Sequence, residues 1–184
     1  MHRNLAIELI NNYAPTDQVE LEDKRRMLDF LAREPDCFDR NCVEGHFTAS
    51  CWLENYAGDA ILLTHHRKFG KWIQLGGHAD GDSDLLRVSL KEAYEESGLS
   101  NIEPVRADIF DIGVHFIPPH EDITQHYHYD VRFYLKAMKD EPFTVSEESH
   151  DLKWVFLHEK EKLPDNHGVQ RMFAKWEYLK TAVS

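Results

Sequence analysis

The stretch from Leu75 to Leu99, LGGHADGDSDLLRVSLKEAYEESGL, constrains this chain more than any other. A turn rich in Gly and Asp runs into a segment of helical spacing that closes at Gly98. Residues three and four apart share a helix face, so Glu92 stands over both Glu95 and Glu96. Like charges placed so repel unless positive charge lies against them, and hard divalent cations prefer carboxylate oxygens. Mg²⁺ or Mn²⁺ would offset that repulsion. Leu86, Leu90 and Ala93 recur at spacings of a core-facing stripe. Asp82 or Ser83 is the expected N-cap, and Gly98 the left-handed residue that ends the helix. The turn Gly76-Gly77-His78-Ala79-Asp80-Gly81-Asp82 lacks the spacing of a dinucleotide fingerprint or a Walker loop. Its paired glycines permit close backbone approach, so peptide groups there could serve as metal or phosphate ligands.

The remainder of the chain narrows the partners. A length of 184 residues with 42% apolar and 29% charged side chains suits a globular domain rather than a disordered segment. A formal charge of −12 argues against a nucleic-acid polymer, which normally meets a concentrated basic surface. A small phosphorylated ligand stays compatible, because bound cations reverse the local field. Cys37, Cys42 and Cys51 form no CxxC pair, which suggests a reducing, cytoplasmic setting, and Cys42 and Cys51 read as buried thiols. No apolar run approaches the roughly 20 residues of a membrane span, so no membrane partner is expected.

Two helices are expected first, over residues 2–12 and 18–33, the second capped by Thr16 or Asp17 and packed through Leu21, Leu28 and Leu31, with Met27 filling gaps. We place a helical extension at 1–40 and the main domain at 41–184. The extension could cover one face of that domain or support a homodimer. From His46 the period changes to that of strands: Phe47–Leu53, Ala60–His65, Trp72–Leu75, Ile102–Gly113, Val114–Ile117, Tyr127–Met138 and Asp151–Leu157. A last amphipathic helix, about 168–181, repeats Val169, Met172, Phe173, Trp176 and Leu179. Strands alternating with helices imply an α/β chain, a mixed sheet with helices on both sides.

The 23 residues GHADGDSDLLRVSLKEAYEESGL resemble the signature of the Nudix hydrolases, Gly-x5-Glu-x7-Arg-Glu-U-x-Glu-Glu-x-Gly-U with U aliphatic. Gly77, Glu92, Glu95, Glu96, Gly98 and Leu99 match it. Ser83 stands in place of the first Glu and Lys91 in place of the Arg. Lysine keeps the charge but not the planar fork, so a replacement tether of Lys91 with a neighbouring Asp is expected between helix and turn. The resemblance implies an α/β/α sandwich preceded by the helical extension. It also implies a metal-dependent hydrolase cleaving the diphosphate linkage of a nucleoside diphosphate joined to another moiety X. Glu92, Glu95 and Glu96 would then hold Mg²⁺ or Mn²⁺, with the Gly76 or Gly77 carbonyl as a further ligand. Glu95 is implied as ligand or base, and Glu147, Glu148 or Glu121 as a base from a later loop, Glu148 being preferred. A ligand-binding or regulatory module that kept the fold without catalysis is the alternative. An isoprenoid diphosphate isomerase is a further one, disfavoured because Cys51 falls within a predicted strand.

Histidine is unusually frequent, at twelve residues. His126, His128 and Asp130 share one strand face by their period of two, and His78 lies in the glycine turn. These four could build a second metal site or a substrate phosphate pocket, or simply line a groove. Arg67, with Lys68 and Lys71, forms a basic group that could hold a terminal phosphate or simply be a solvated hairpin loop. Trp72, Phe69, Phe116, Tyr127 and Phe133 read as core, with Phe69 or Phe116 the better placed to stack on a base.

Overall fold

The change from helical to strand periodicity near His46 is reproduced in a computed structural model, which describes residues 3–119 and 124–182. Helices α1 (Arg3–Asn12) and α2 (Gln18–Arg33) precede β1 (Gly45–Glu54), β2 (Ala60–His66), β3 (Lys71–Ile73) and β4 (Leu75–His78). Helix α3 (Leu85–Ser97) follows, then β5 (Ile102–Pro104), β6 (Asp111–Ile117), β7 (His126–Ala137), β8 (Ser149–Phe156), a 3-10 turn (Leu157–Lys162) and α4 (His167–Ala182). The strands form an α/β fold with a mixed sheet in the order β3-β2-β1-β7-β5. β4 pairs with β1, β6 with β7 and β8 with β2. Gly76, Gly77 and His78, expected in the turn, belong to strand β4. The stretch expected to be extended from Ile102 to Gly113 breaks after Pro104 and resumes at Asp111. Among the described residues no helix is long and apolar enough to cross a membrane.

The chain divides into two compact units. The first holds the described residues of Met1–Ser50, Gly76–Ser89 and Arg106–Phe133. Here Asp17 caps α2, its Oδ1 accepting from the Glu20 N–H at 2.8 Å. The buried stripe of α2 is Glu20, Asp23, Met27, Phe30 and Leu31, while Leu21 and Leu28 are half-buried. Two acids sit on that stripe because each meets a donor. Tyr13 Oη and the Thr16 N–H donate to Glu20, and the Val114 N–H donates to Asp23 at 3.1 Å. Phe30 stacks on Tyr129 of β7 with centroids 4.2 Å apart, a contact that removes about 1.5–3 kcal/mol worth of aromatic surface from water. Arg3 donates to the carbonyls of Leu31, Glu34 and Pro35, tying α1 to the end of α2. The extension therefore covers a sheet face in this unit.

The second unit holds Cys51–Leu75, Leu90–Val105 and the described residues of Tyr134–Ser184. β2 is paired antiparallel with β8 from Ala60↔Phe156 to His66↔Ser149. Asn55 closes the preceding turn, its Oδ1 accepting from the N–H groups of Gly58, Asp59 and Ala60. Val169, Met172, Phe173 and Trp176 form the buried stripe of α4, as their spacing predicts. Trp52 meets Phe173 edge-on, with centroids at 6.5 Å. At the end of β1, Glu54 is 1% exposed. It accepts from Tyr134 Oη and from Trp176 Nε1 at 2.7 Å, and it pairs with Lys180 at 2.5 Å and Lys136 at 3.3 Å.

Burial alone would push the Glu54 carboxyl up, but Lys180, Tyr134 and Trp176 hold it below the usual glutamate range. A depressed folded-state value contributes stability above the unfolded pKa and loses it as pH falls through the folded one. Glu54→Ala leaves two lysines facing a buried gap, and should cost about 3–5 kcal/mol at pH 7. Urea unfolding should show that deficit at neutral pH and show it shrinking as pH falls below about 4.

Candidate functional site

Helix α3 begins at Leu85, and the side chain that caps it is Asp84, whose Oδ1 accepts from the Arg87 N–H at 3.2 Å. Asp82 and Ser83, the expected caps, stand two residues and one residue too early. Asp82 instead accepts from the Asp84 N–H at 2.9 Å and from both Nε and Nη2 of Arg87. Arg87 holds the Asp82 carboxyl below its usual range, opposing the effect of burial. The tether from helix to turn is thus Asp82–Arg87. Lys91, expected to reach a neighbouring Asp, lies 3.1 Å from Glu92 and 3.1 Å from Glu95. Gly98 ends the helix with φ of 68°, and its N–H donates to the Tyr94 carbonyl at 2.9 Å. A Cβ there would also lie 2.8 Å from Thr144 Cβ.

The buried side of α3 is Leu85, Val88, Ser89, Ala93, Glu96 and Ser97, whereas Leu86 and Leu90 of the expected stripe are half-buried. Of the three carboxylates, Glu96 therefore lies on the covered face. Glu96 is 3% exposed and Glu92 is half-buried, while Glu95 is exposed beside Lys91. Burial raises the Glu92 carboxyl above its usual range, and the fields of Glu95 and Glu148 push the same way against Lys91. Glu148 stands at the entry to β8, where the Arg67 N–H donates to its carbonyl at 2.9 Å. Arg67 Nε donates to the next carbonyl, that of Ser149, at 2.9 Å. Folding thus brings Glu92, Glu148 and Arg67, far apart in sequence, into one neighbourhood. Carboxylate oxygens are the donors that Mg²⁺ or Mn²⁺ prefer, but among the described residues the group whose ligand atoms lie within 4.8 Å of one another is His46, His78 and His128. Glu147 is exposed, and Glu121 lies outside the described residues.

The first unit carries a second polar group, arranged by strand period. On β1, His46, Thr48 and Ser50 alternate with the buried Phe47 and Ala49. On β7, Asp130 is buried, accepting from Thr48 Oγ1 at 3.0 Å, Ser50 Oγ at 2.7 Å and Arg132 Nε at 2.7 Å. Arg132 also reaches Asp111 at 2.6 Å and His115 at 2.7 Å. Asp130 is therefore a partner of Arg132 rather than of the histidines with which its spacing grouped it. His126 Nε2 lies 3.1 Å from His128 Nε2, and His126 Nδ1 lies 2.8 Å from the Thr124 carbonyl. His46, His78 and His128 each offer a ring nitrogen within 4.8 Å of the others. His46 escaped the sequence reading because it precedes the apolar run of β1. The signal that would have found it is the alternation His46, Thr48, Ser50.

Gly76 explains how β4 comes so close to β1. A Cβ at that position would lie 2.4 Å from Ser50 Oγ and 2.6 Å from Ser50 Cα, so only glycine permits the approach. Gly77 follows it, half-buried, on the same strand. Ser89 Oγ donates to the Ser50 carbonyl at 2.8 Å, fixing the start of α3 to β1. Phe69 and Phe116 are exposed rather than core, at 40% and 52%, while Phe133 is buried and Trp72 and Tyr127 are half-buried. Cys42 is half-buried, unlike Cys37 and Cys51.

Comparison with known proteins places these features in a family. A family model described as NUDIX domain matches residues 45–176. Among solved structures, an Ap4A hydrolase of C. elegans in a binary complex is similar over 74% of this chain and 98% of its own, with 17% identity and a TM-score of 0.59. A NUDIX-family hydrolase from Clostridium perfringens is similar over 76% of this chain and 98% of its own, with 22% identity and a TM-score of 0.53. The dihydroneopterin triphosphate pyrophosphohydrolase of E. coli is similar over 72% and 95%, with 11% identity and a TM-score of 0.55. No curated protein matches the chain.

Removing the Asp130 carboxylate would leave Arg132, whose side chain is 2% exposed, with one carboxylate instead of two. Because Asp111 still balances the Arg132 charge, Asp130→Ala removes mainly the acceptor of Thr48, Ser50 and Arg132 Nε and should cost about 1–3 kcal/mol, read as a lower urea midpoint with little change in slope.

Proposed function

The chain belongs to the Nudix family, and from that membership we propose a metal-dependent pyrophosphohydrolase that cleaves the diphosphate linkage of a nucleoside diphosphate joined to another moiety X. The observation that carries the reading is the covered carboxylate face of α3, where Glu96 is buried and Glu92 is half-buried with its carboxyl raised. Relatives of the same fold named as an Ap4A hydrolase and as a dihydroneopterin triphosphate pyrophosphohydrolase support a phosphate-linked substrate.

Glu96 and Glu92 would hold Mg²⁺ or Mn²⁺ through their carboxylate oxygens, with Glu95 able to join from the exposed side. A bound divalent cation supplies charge stabilisation for the phosphate oxygens and lowers the pKa of the attacking water. Burial of Glu96 keeps its carboxylate in one rotamer, so the donor is positioned before substrate arrives. Glu148, outside the helix and exposed, takes the proton of the attacking water on its carboxylate. Arg67, pinned to the Ser149 carbonyl through Nε, keeps its two terminal nitrogens available to a phosphate oxygen beside Glu148. Lys91 neutralises Glu95 and Glu92 until a cation takes over that role.

Release of phosphate or nucleotide should be followed over nucleotide sugars, dinucleoside polyphosphates, oxidised nucleoside triphosphates and cofactor diphosphates. Turnover with Mg²⁺ or Mn²⁺ that stops on chelation is expected. Glu96→Gln should abolish it, and Glu148→Gln should lower kcat by about 10²–10⁴-fold, the usual weight of a general base. Unchanged turnover in Glu96→Gln would reject the assignment.

A further inference from the structure

The three imidazoles of the first unit come from three different strands: His46 from β1, His78 from β4 and His128 from β7. Their ring centroids lie 5.0 Å (His46–His78), 4.8 Å (His46–His128) and 5.1 Å (His78–His128) apart, a nearly equilateral triangle. The planes are inclined at 54°, 50° and 88°, so the rings are not stacked on one another. A tetrahedral ion with metal–nitrogen bonds of about 2.0–2.1 Å places its imidazole centroids about 3.2 Å from the metal and about 5.2 Å from one another. The triangle therefore has the size that coordination requires, and one ring nitrogen of each histidine lies within 4.8 Å of the other two.

A second observation points to an occupant. His46 is 2% exposed, and among the described residues neither of its ring nitrogens has a hydrogen-bond partner. A buried polar group left so costs about 1–3 kcal/mol, and such groups are rare in folded proteins. Burial, with the neighbouring histidines adding to it, pushes His46 down to about 4 and His128 down to about 2.

We propose that His46, His78 and His128 bind one transition-metal cation of the Zn²⁺ class, with a fourth position left to water or a ligand oxygen. Imidazole donors favour Zn²⁺, Ni²⁺, Cu²⁺ or Fe²⁺, whereas Mg²⁺ demands an octahedral oxygen shell. The site uses none of the carboxylates assigned to hydrolysis, and it does not depend on that reading. Asp130 is excluded as a ligand because Ser50, Thr48 and Arg132 already occupy its oxygens. His126 supports the site from outside, its Nδ1 held at 2.8 Å from the Thr124 carbonyl and its Nε2 turned toward His128. The half-buried rings of His78 and His128 leave the approach from solvent. Because the ligands come from three strands, the ion joins β1, β4 and β7, and binding must stabilise the folded chain by mass action.

The test uses the untagged full chain, stripped with chelator and titrated with ZnCl₂ by calorimetry in the presence of excess Mg²⁺. One saturable site per chain, a rise in Tm with Zn²⁺ and a tetrahedral Co²⁺ absorption spectrum are expected. His78→Gln and His128→Gln should each weaken Zn²⁺ by more than the roughly 10–100-fold that loss of an outer partner costs. Glu92→Gln and Glu96→Gln should retain the site. Circular dichroism of each apo variant establishes that it is folded, and His46→Phe, which refills the buried volume, serves if one of the others is not. The proposal is overturned if the wild-type chain shows no saturable Zn²⁺ binding, if Mg²⁺ displaces Zn²⁺ mole for mole, or if the histidine variants bind as wild type. Loss of the site in the glutamate variants alone would equally overturn it. Hydrolysis by a chain that binds no Zn²⁺ would leave the diphosphatase reading standing by itself.

Discussion

The arrangement of the first unit depends on one buried ion group, Arg132 between Asp111 and Asp130. The three side chains are 2%, 0% and 5% exposed, at hydrogen-bonding distances of 2.6 and 2.7 Å. Removing such charges from water costs several kcal/mol per ion, and attraction offsets that only when the remaining lone pairs are also satisfied. Here they are met by Thr48 and Ser50 on β1 and by His115 on β6. The network consequently specifies register. β1, β6 and β7 must present their polar rows to one another, since a slip of one residue would bury these charges against apolar side chains.

That register has a chemical consequence. The row that places Ser50 and Thr48 on Asp130 also places His46 beside His128, two residues further along each strand. Gly76 lets β4 approach the same part of β1, and His78 arrives two residues later. The histidine triangle is thus an extension of a structural network, built with the same strand period. In the second unit Glu54 plays a comparable part, drawing Tyr134, Trp176, Lys180 and Lys136 around the end of β1.

The chain presents two donor sets of different softness. The carboxylates of α3 are hard oxygen ligands, and the imidazoles of β1, β4 and β7 are of intermediate character. One member of each set is held by burial. Glu96 is fixed by burial in the helix face, and His46 is fixed by burial in the sheet.

Local patterns in the sequence established the helices, the hairpin, the buried stripe of α4 and the run of Glu92, Glu95 and Glu96, because period and capping chemistry act over a few residues. Even there the details of α3 were ambiguous: Asp82, Ser83 and Asp84 can all cap, and the first helical residue selects Asp84. The stripe shifted from Leu86 and Leu90 to Leu85, Ser89 and Glu96 because contact with β1, through Ser89 and Ser50, chooses which face is covered. What only the tertiary structure decided was company. Asp130 went to Arg132 instead of to His126 and His128, His46 joined His78, and Arg87 took Asp82 in place of Lys91. The meeting of His46 with His78, and of Asp130 with Thr48 and Ser50, follows from strand register and close backbone approach, which bring together residues about 30 to 80 positions apart. No short-range pattern carries that information, since each side chain is chemically able to satisfy several partners and the fold fixes which one is near.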